Sequence, residues 1–192
     1  MKNIKIGSHL IGNNYPVFVI AEVGINHNGS FKLAKKMVDE AKKAGTDCIK
    51  FQTHIADAES SDFEPFRVNF SKQDETRQQY WKRTEFTIEQ WMGLKKHCED
   101  LNIEFISTPS SISAVDLLEK LNVARYKVGS GDTTNLLLLK RLGITKRKIK
   151  NPKIGISERT LKTINIAATP IAGPHLFFKF SLACFGRKIT FF

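Results

Sequence analysis

Two lysines stand inside apolar runs that otherwise read as buried strands: Lys50 in DCIKFQT (47–53) and Lys127 in RYKVGSG (125–131). An unpaired buried ammonium is costly, so each demands a negative partner. A dianionic substrate meets that demand for both at once. The neighbouring residues suit the same chemistry. Glu22, Asn26, His27 and Asn28 close a first apolar run, and Gln52 and Thr53 follow Lys50. Ser107 and Thr108 end a third run, and Ser130 and Asp132 follow Lys127. Lysines beside an anion stabilise its binding and departure, and a carboxylate near water or a sugar hydroxyl serves as base or electrostatic stabiliser. Gly24, Gly29, Gly129 and Gly131 let backbone N–H groups approach an anion closely. Ser-Gly-Asp is also a common turn sequence and does not by itself specify phosphate. Glu22 has a plainer reading too, as a structural partner of Lys50 or Lys127.

Such clusters need a scaffold that gathers strand ends. Residues 17–24 form a mostly apolar run rich in β-branched residues, which suits a strand buried on both faces. Ser30 reads as the N-cap of a helix whose Leu33, Met37, Val38 and Ala41 recur at helical spacing, with Gly45 as its C′ residue. A second strand is expected at 47–53. The polar excursion 56–83 reads as a long insertion loop. Thr87, with Glu89, opens a helix through Leu101 whose Trp91, Leu94 and Cys98 share a stripe. A strand at 104–108 stopped by Pro109, a helix at 113–121, a strand and exit loop at 125–131 and a helix beginning over 135–142 complete four βα units. Beyond Leu142 the pattern leaves room for a weak fifth strand at 153–157 and a helix over 158–168. Strand–helix alternation gives an open doubly wound sheet or a TIM barrel, and in the barrel ligands gather at the C-terminal strand ends.

Composition narrows the class. A chain of 192 residues, 41% hydrophobic and 26% charged, suits one globular domain rather than a disordered segment. It has no apolar run of membrane-spanning length, and its N-terminus lacks a signal-peptide core, so the expectation is a cytoplasmic protein with no membrane partner. Cys48, Cys98 and Cys184 are too widely spaced for a disulfide framework or metal pair, and Cys48 reads as a small buried hydrophobe. The net charge of +11 is uneven. Residues 1–140 hold 19 Lys and Arg against 18 Asp and Glu, whereas 141–192 hold 11 against the single acid Glu158. The charge therefore belongs to the tail, where no aromatic residues interleave with basic ones along a regular element, and a nucleic-acid partner is not expected. His27 reads as a loop hydrogen-bond donor rather than a metal ligand, and His54 and His97 as surface residues.

AEVGINHNG (21–29), IKFQT (49–53), ISTP (106–109) and YKVGSGDTTN (126–135) occur in an order and spacing that resemble the N-acetylneuraminate (sialic acid) synthase family, over residues 16–139. That family includes legionaminate and pseudaminate synthases and spore-coat polysaccharide homologues. The resemblance implies a TIM barrel and a transferase that condenses phosphoenolpyruvate with an N-acetylated amino sugar, such as N-acetylmannosamine, releasing phosphate. It implies that Lys50, Thr108, Lys127 and Ser130 hold the phosphoenolpyruvate. Glu22 and Asp132 would face the sugar and reacting carbons as catalytic residues, with Asn26 and Gln52 also binding substrate. Many members carry Glu where this chain has Asp132.

The family uses a divalent metal, manganese or magnesium, on histidines in the second half of the barrel. No metal ligand is assigned to this chain, and nothing beyond residue 142 keeps the family pattern. The fold expectation is therefore α/β: a partial TIM (β/α) barrel of four to five βα units over 1–142, then an irregular basic tail over 143–192. A truncated or frameshifted chain is expected, and a homo-oligomer is one way for a half-barrel to cover its open edges. The competing function is a catalytically inactive remnant that binds phosphate-bearing ligands or partners.

Overall fold

The computed structural model describes residues 4–6, 9–12, 14–66, 72–145, 148–150 and 161–165. The apolar run after Val17 forms β3 (Phe18–Gly24), preceded by a hairpin of β1 (Ile4–Ile6) and β2 (His9–Ile11). Then follow α1 (Phe31–Lys43), β4 (Cys48–Thr53), α2 (Arg77–Thr84), α3 (Ile88–Asp100), β5 (Glu104–Pro109) and α4 (Ile112–Lys120). The last are β6 (Arg125–Lys127), α5 (Leu136–Ile144), β7 (Lys148–Lys150) and β8 (Leu161–Asn165).

Strand order decides between the two architectures left open by the alternation. The six-stranded sheet runs β7-β6-β5-β4-β3-β8, and all its pairings are parallel. From β3 to β7 each new strand joins the edge left by the one before. A doubly wound sheet reverses direction at a switch point; a barrel wall does not. The sheet is therefore a partial barrel wall, as expected.

Local signals set the elements. The Ser30 hydroxyl accepts from Leu33 N–H, and the helix ends with Gly45 at φ +74°. At α3 the Thr87 and Gln90 side chains form a reciprocal capping box. Gln90, not Glu89, occupies the third helical position that such a box requires. Alternation along the strands then builds two faces. On the helix-covered face Ala21, Val23, Ile49, Phe51, Phe105, Tyr126 and Val128 pack with Met37, Trp91, Leu94 and Leu118 into the main core. Phe51 stacks on Phe105 and meets the Trp91 edge, so this face is dry and aromatic. On the opposite face Phe18, Ile20, Cys48 and Ile106 form a smaller layer, closed from below by Ile11 of the hairpin.

Two expectations are corrected. The excursion after β4 is not a bare loop: it contains a 3₁₀ turn (Ala56–Ala58) and α2, tied by Arg77–Glu64, Lys82–Asp57 and Arg83–Asp74 ion pairs. It docks so closely that a Cβ at Gly29 (φ +78°) would lie 2.3 Å from the Arg83 carbonyl oxygen. The helix expected over 158–168 is replaced by β8, whose Leu161–Asn165 run, with β-branched Thr163 and Ile164, pairs along β3. The strand expected at 153–157 lies outside the described residues. Among the described residues no helix is long and apolar enough to cross a membrane.

Candidate functional site

Register stacks a polar layer directly above the Phe18–Ile20–Cys48–Ile106 layer. Glu22 stands opposite Lys50, and Gln52 opposite Thr108. Ser107 pairs with Tyr126, which brings the next residues, Thr108 and Lys127, level with each other. Residues two apart share a face, so Glu22, Lys50, Gln52, Thr108 and Lys127 all line the inner wall at the C-terminal ends of four adjacent strands. A register shift after Glu22, with Gly24 at φ +58°, ends β3 beside the Gln52 amide.

The polar layer is only partly satisfied. Lys50 is 7% exposed, and its ammonium forms an ion pair with Glu22 Oε2. Of the two plainer partners, Glu22 thus takes Lys50. Its other oxygen, Oε1, is buried with no hydrogen-bond partner, and so is the Thr108 hydroxyl. Buried polar atoms are usually satisfied, so two orphans in one layer mark a place for a polar ligand. Lys127 is half-buried, and burial lowers the pKa of its ammonium, an effect that nearby Asp132 opposes. A dianion at the layer would offset that desolvation and accept from Thr108.

Asp132 sits in the turn after β6. Its N–H donates to Gly129 O at 3.1 Å, and its carboxylate lies where a side chain at residue 129 would stand, 2.6 Å from the position of a Cβ there. Ser130 is exposed at the rim, its carbonyl accepting from the Thr133 hydroxyl at 3.0 Å. Asn135 caps α5, fixing the far end of the turn. Asn26 lies in the tight turn after β3, its N–H donating to Val23 O at 3.0 Å. Thr53 and Ser107 face the other way and satisfy each other at 2.7 Å beneath the helices.

The histidines differ from their sequence reading. His27 is 1% exposed, stacked on Phe86 with centroids 4.2 Å apart, and its Nδ1 accepts from Gly29 N–H rather than donating. Desolvation, with help from the charge of His54, lowers its pKa to about 4, so it is a neutral packing residue. His54 is not a surface residue: it stacks flat on Trp81 and bridges Glu59 and Gln52. His97 is half-buried and bonds Asp39 at 2.7 Å. Among the described residues no three His, Cys, Asp or Glu side chains are grouped to hold a metal ion, so these residues do not fit a metal centre, and no chemical step is drawn through one.

A parallel wall of strands with a partly unsatisfied, lysine-bearing layer at its C-terminal rim defines a partial (β/α)-barrel protein. Sequence comparison gives the family. The NeuB family model matches residues 37–161, and the chain belongs to that family. It is 40% identical over 149 residues to an uncharacterized Methanocaldococcus jannaschii protein, covering 78% of this chain and 41% of that one. It is 35% identical to the N,N'-diacetyllegionaminic acid synthase of Campylobacter jejuni, covering 68% and 40% respectively. Against the human N-acetylneuraminate-9-phosphate synthase it is 35% identical, covering 68% and 37%. Among solved structures, the N-acetylneuraminic acid synthetase of Leptospira borgpetersenii superposes with a TM-score of 0.63 at 25% identity, covering 88% of this chain and 60% of that one. The chain spans about 40% of the length of these curated relatives.

Proposed function

We propose that this chain supplies the phosphoenolpyruvate-binding wall of a nonulosonic acid synthase. The observation that carries the reading is the pair of orphaned buried atoms, Glu22 Oε1 and Thr108 Oγ1, in one layer with Lys50 and Lys127. Lys50, Thr108, Lys127 and Ser130 hold the carboxylate and phosphate. Asn26 and Gln52 contact substrate, and Glu22 and Asp132 face the reacting carbons. The enol carbon forms a bond to the aldehyde carbon of an N-acetylated amino sugar. Water then adds at the phosphate-bearing carbon, and the bond from that carbon to the phosphate oxygen breaks. Fixed cations at the phosphate favour its departure, because they need no reorganisation as charge develops. Glu22 is placed to steer a proton of the attacking water or a sugar hydroxyl through Oε1. The product class is a precursor of cell-surface polysaccharide made in the cytoplasm.

The test supplies phosphoenolpyruvate, N-acetylmannosamine and manganese and follows phosphate release against a Lys50→Ala control. Release that falls at least about a hundredfold in the control supports the reading. Release no greater than the control, with phosphoenolpyruvate still bound, identifies a ligand-binding chain without turnover.

A further inference from the structure

The charges of the polar layer balance one another, whereas phosphoenolpyruvate is strongly anionic. Among the described residues at the layer, Lys50 and Lys127 supply ammonium groups, and Glu22 and Asp132 supply carboxylates. Gln52 and Thr108 are neutral, and β8 sets Asn165 opposite Glu22. Behind Gln52 stand His54, 3.2 Å from its amide oxygen, and Glu59, which bonds His54. Onto these offsetting charges the ligand brings a carboxylate and a dianionic phosphate. The conflict is sharpest at Glu22. Its Oε2 holds the Lys50 ammonium. Its Oε1 is buried without a partner and lies 3.8 Å from the point a Gly24 Cβ would occupy, beside the Gln52 amide.

A ligand that recruits the Lys50 ammonium takes it from Glu22. The carboxylate left behind would face a ligand oxygen as acceptor against acceptor, among buried atoms where repulsion is poorly screened. A proton between the two oxygens turns that repulsion into a hydrogen bond. We infer that phosphoenolpyruvate binds this layer together with one proton, which settles on Glu22 Oε1 and is donated in a hydrogen bond to the ligand. The step balances: Lys50 Nζ exchanges one anionic partner for another, and solvent supplies the proton. Glu22 then enters the reaction as a neutral acid. Its proton depends on the proposed phosphoenolpyruvate reading, since nothing else brings the second anion to the layer. Uptake on binding also fixes a sign: affinity falls as pH rises, by up to about tenfold per pH unit for one proton.

The test is titration calorimetry of the whole chain with phosphoenolpyruvate at about pH 8, where the ligand phosphate is already dianionic. Repeating it in buffers of different ionisation enthalpy counts the protons taken up. Expected is uptake of about one proton per ligand, falling below about 0.3 in Glu22→Gln, whose amide donates without titrating. Uptake should persist in Lys127→Arg and Asp132→Asn, which remove the other titrating groups of the layer one at a time. In parallel, the infrared difference spectrum of ¹³C-glutamate-labelled protein should gain a protonated-carboxyl band on binding, lost in Glu22→Gln. If Glu22→Gln does not fold, Glu22→Asp takes its place: the carboxyl remains, but its band loses the isotope shift. Binding without proton uptake overturns the proposal and leaves the phosphoenolpyruvate reading standing. Uptake that survives in Glu22→Gln and vanishes in Lys127→Arg or Asp132→Asn overturns it too, by moving the proton elsewhere. Absence of any phosphoenolpyruvate binding overturns the reading itself, and the proton with it.

Discussion

The two faces of one sheet differ in the polar groups they bury. Beneath the helices, Phe51, Phe105 and Trp91 interlock, and the only hydroxyls of β4 and β5 there, Thr53 and Ser107, bond each other. On the inner wall, one residue away along the same strands, Glu22 Oε1 and Thr108 Oγ1 are buried and unmatched, and Lys127 is desolvated. The same backbone geometry serves both, so the difference lies in the side chains alone. The contrast is one of charge, since Trp91 Nε1 beneath the helices is also buried without a hydrogen-bond partner while the carboxylate and ammonium groups lie on the inner wall. Function is found where the folded chain leaves its own groups wanting.

The comparison breaks hardest at Phe51. Phe51→Ala should cost about 4 kcal/mol in denaturant unfolding, because the aromatic cluster cannot collapse into the hole, while the remaining folded protein keeps its anion affinity. Next comes a pH test of His27. Its folded pKa of about 4 lies below the unfolded value of about 6.5, so between these the unfolded chain binds more protons and stability falls as pH falls. The contribution is complete above pH 6.5 or so and declines by about 3 kcal/mol towards pH 4. His27→Asn, which retains an acceptor near Gly29, should flatten that slope in unfolding curves. The smallest stability effect belongs to the inner wall. Lys127→Met removes a desolvated cation, so unfolding free energy should move by no more than about 0.5 kcal/mol, while phosphate affinity drops about tenfold. A large loss of stability in Lys127→Met would erase the distinction between the faces.

Most of the barrel wall was legible because its signals are local. Ser30, Gly45 and Asn135 mark helix ends through bonds that span three or four residues, and the strands are short β-branched runs between turn residues. The polar layer was legible for a related reason: charged residues inside apolar runs stand out. What escaped depends on distant partners. Nothing in RQQYWKRT gives α2 an apolar stripe, and it is held by ion pairs to Asp57 and Glu64, far back along the chain. His27 reads as a loop residue until Phe86 is folded over it. His54 reads as exposed until Trp81 covers it, although a Gln-Thr-His triplet leaving a strand could have prompted a search for its acid. β8 escaped because the free edge of β3, a partner over a hundred residues away, determines it.

The unbroken order from β3 to β7 bears on how the chain is made. Each βα unit needs only the strand already laid down, so the wall can grow at one edge while synthesis continues. β8 is the exception, since it joins the opposite edge of the sheet, beside β3. The ribosome therefore delivers the lysine-bearing layer well before β8, and for that interval the edge of β3 is open to whatever strand arrives first.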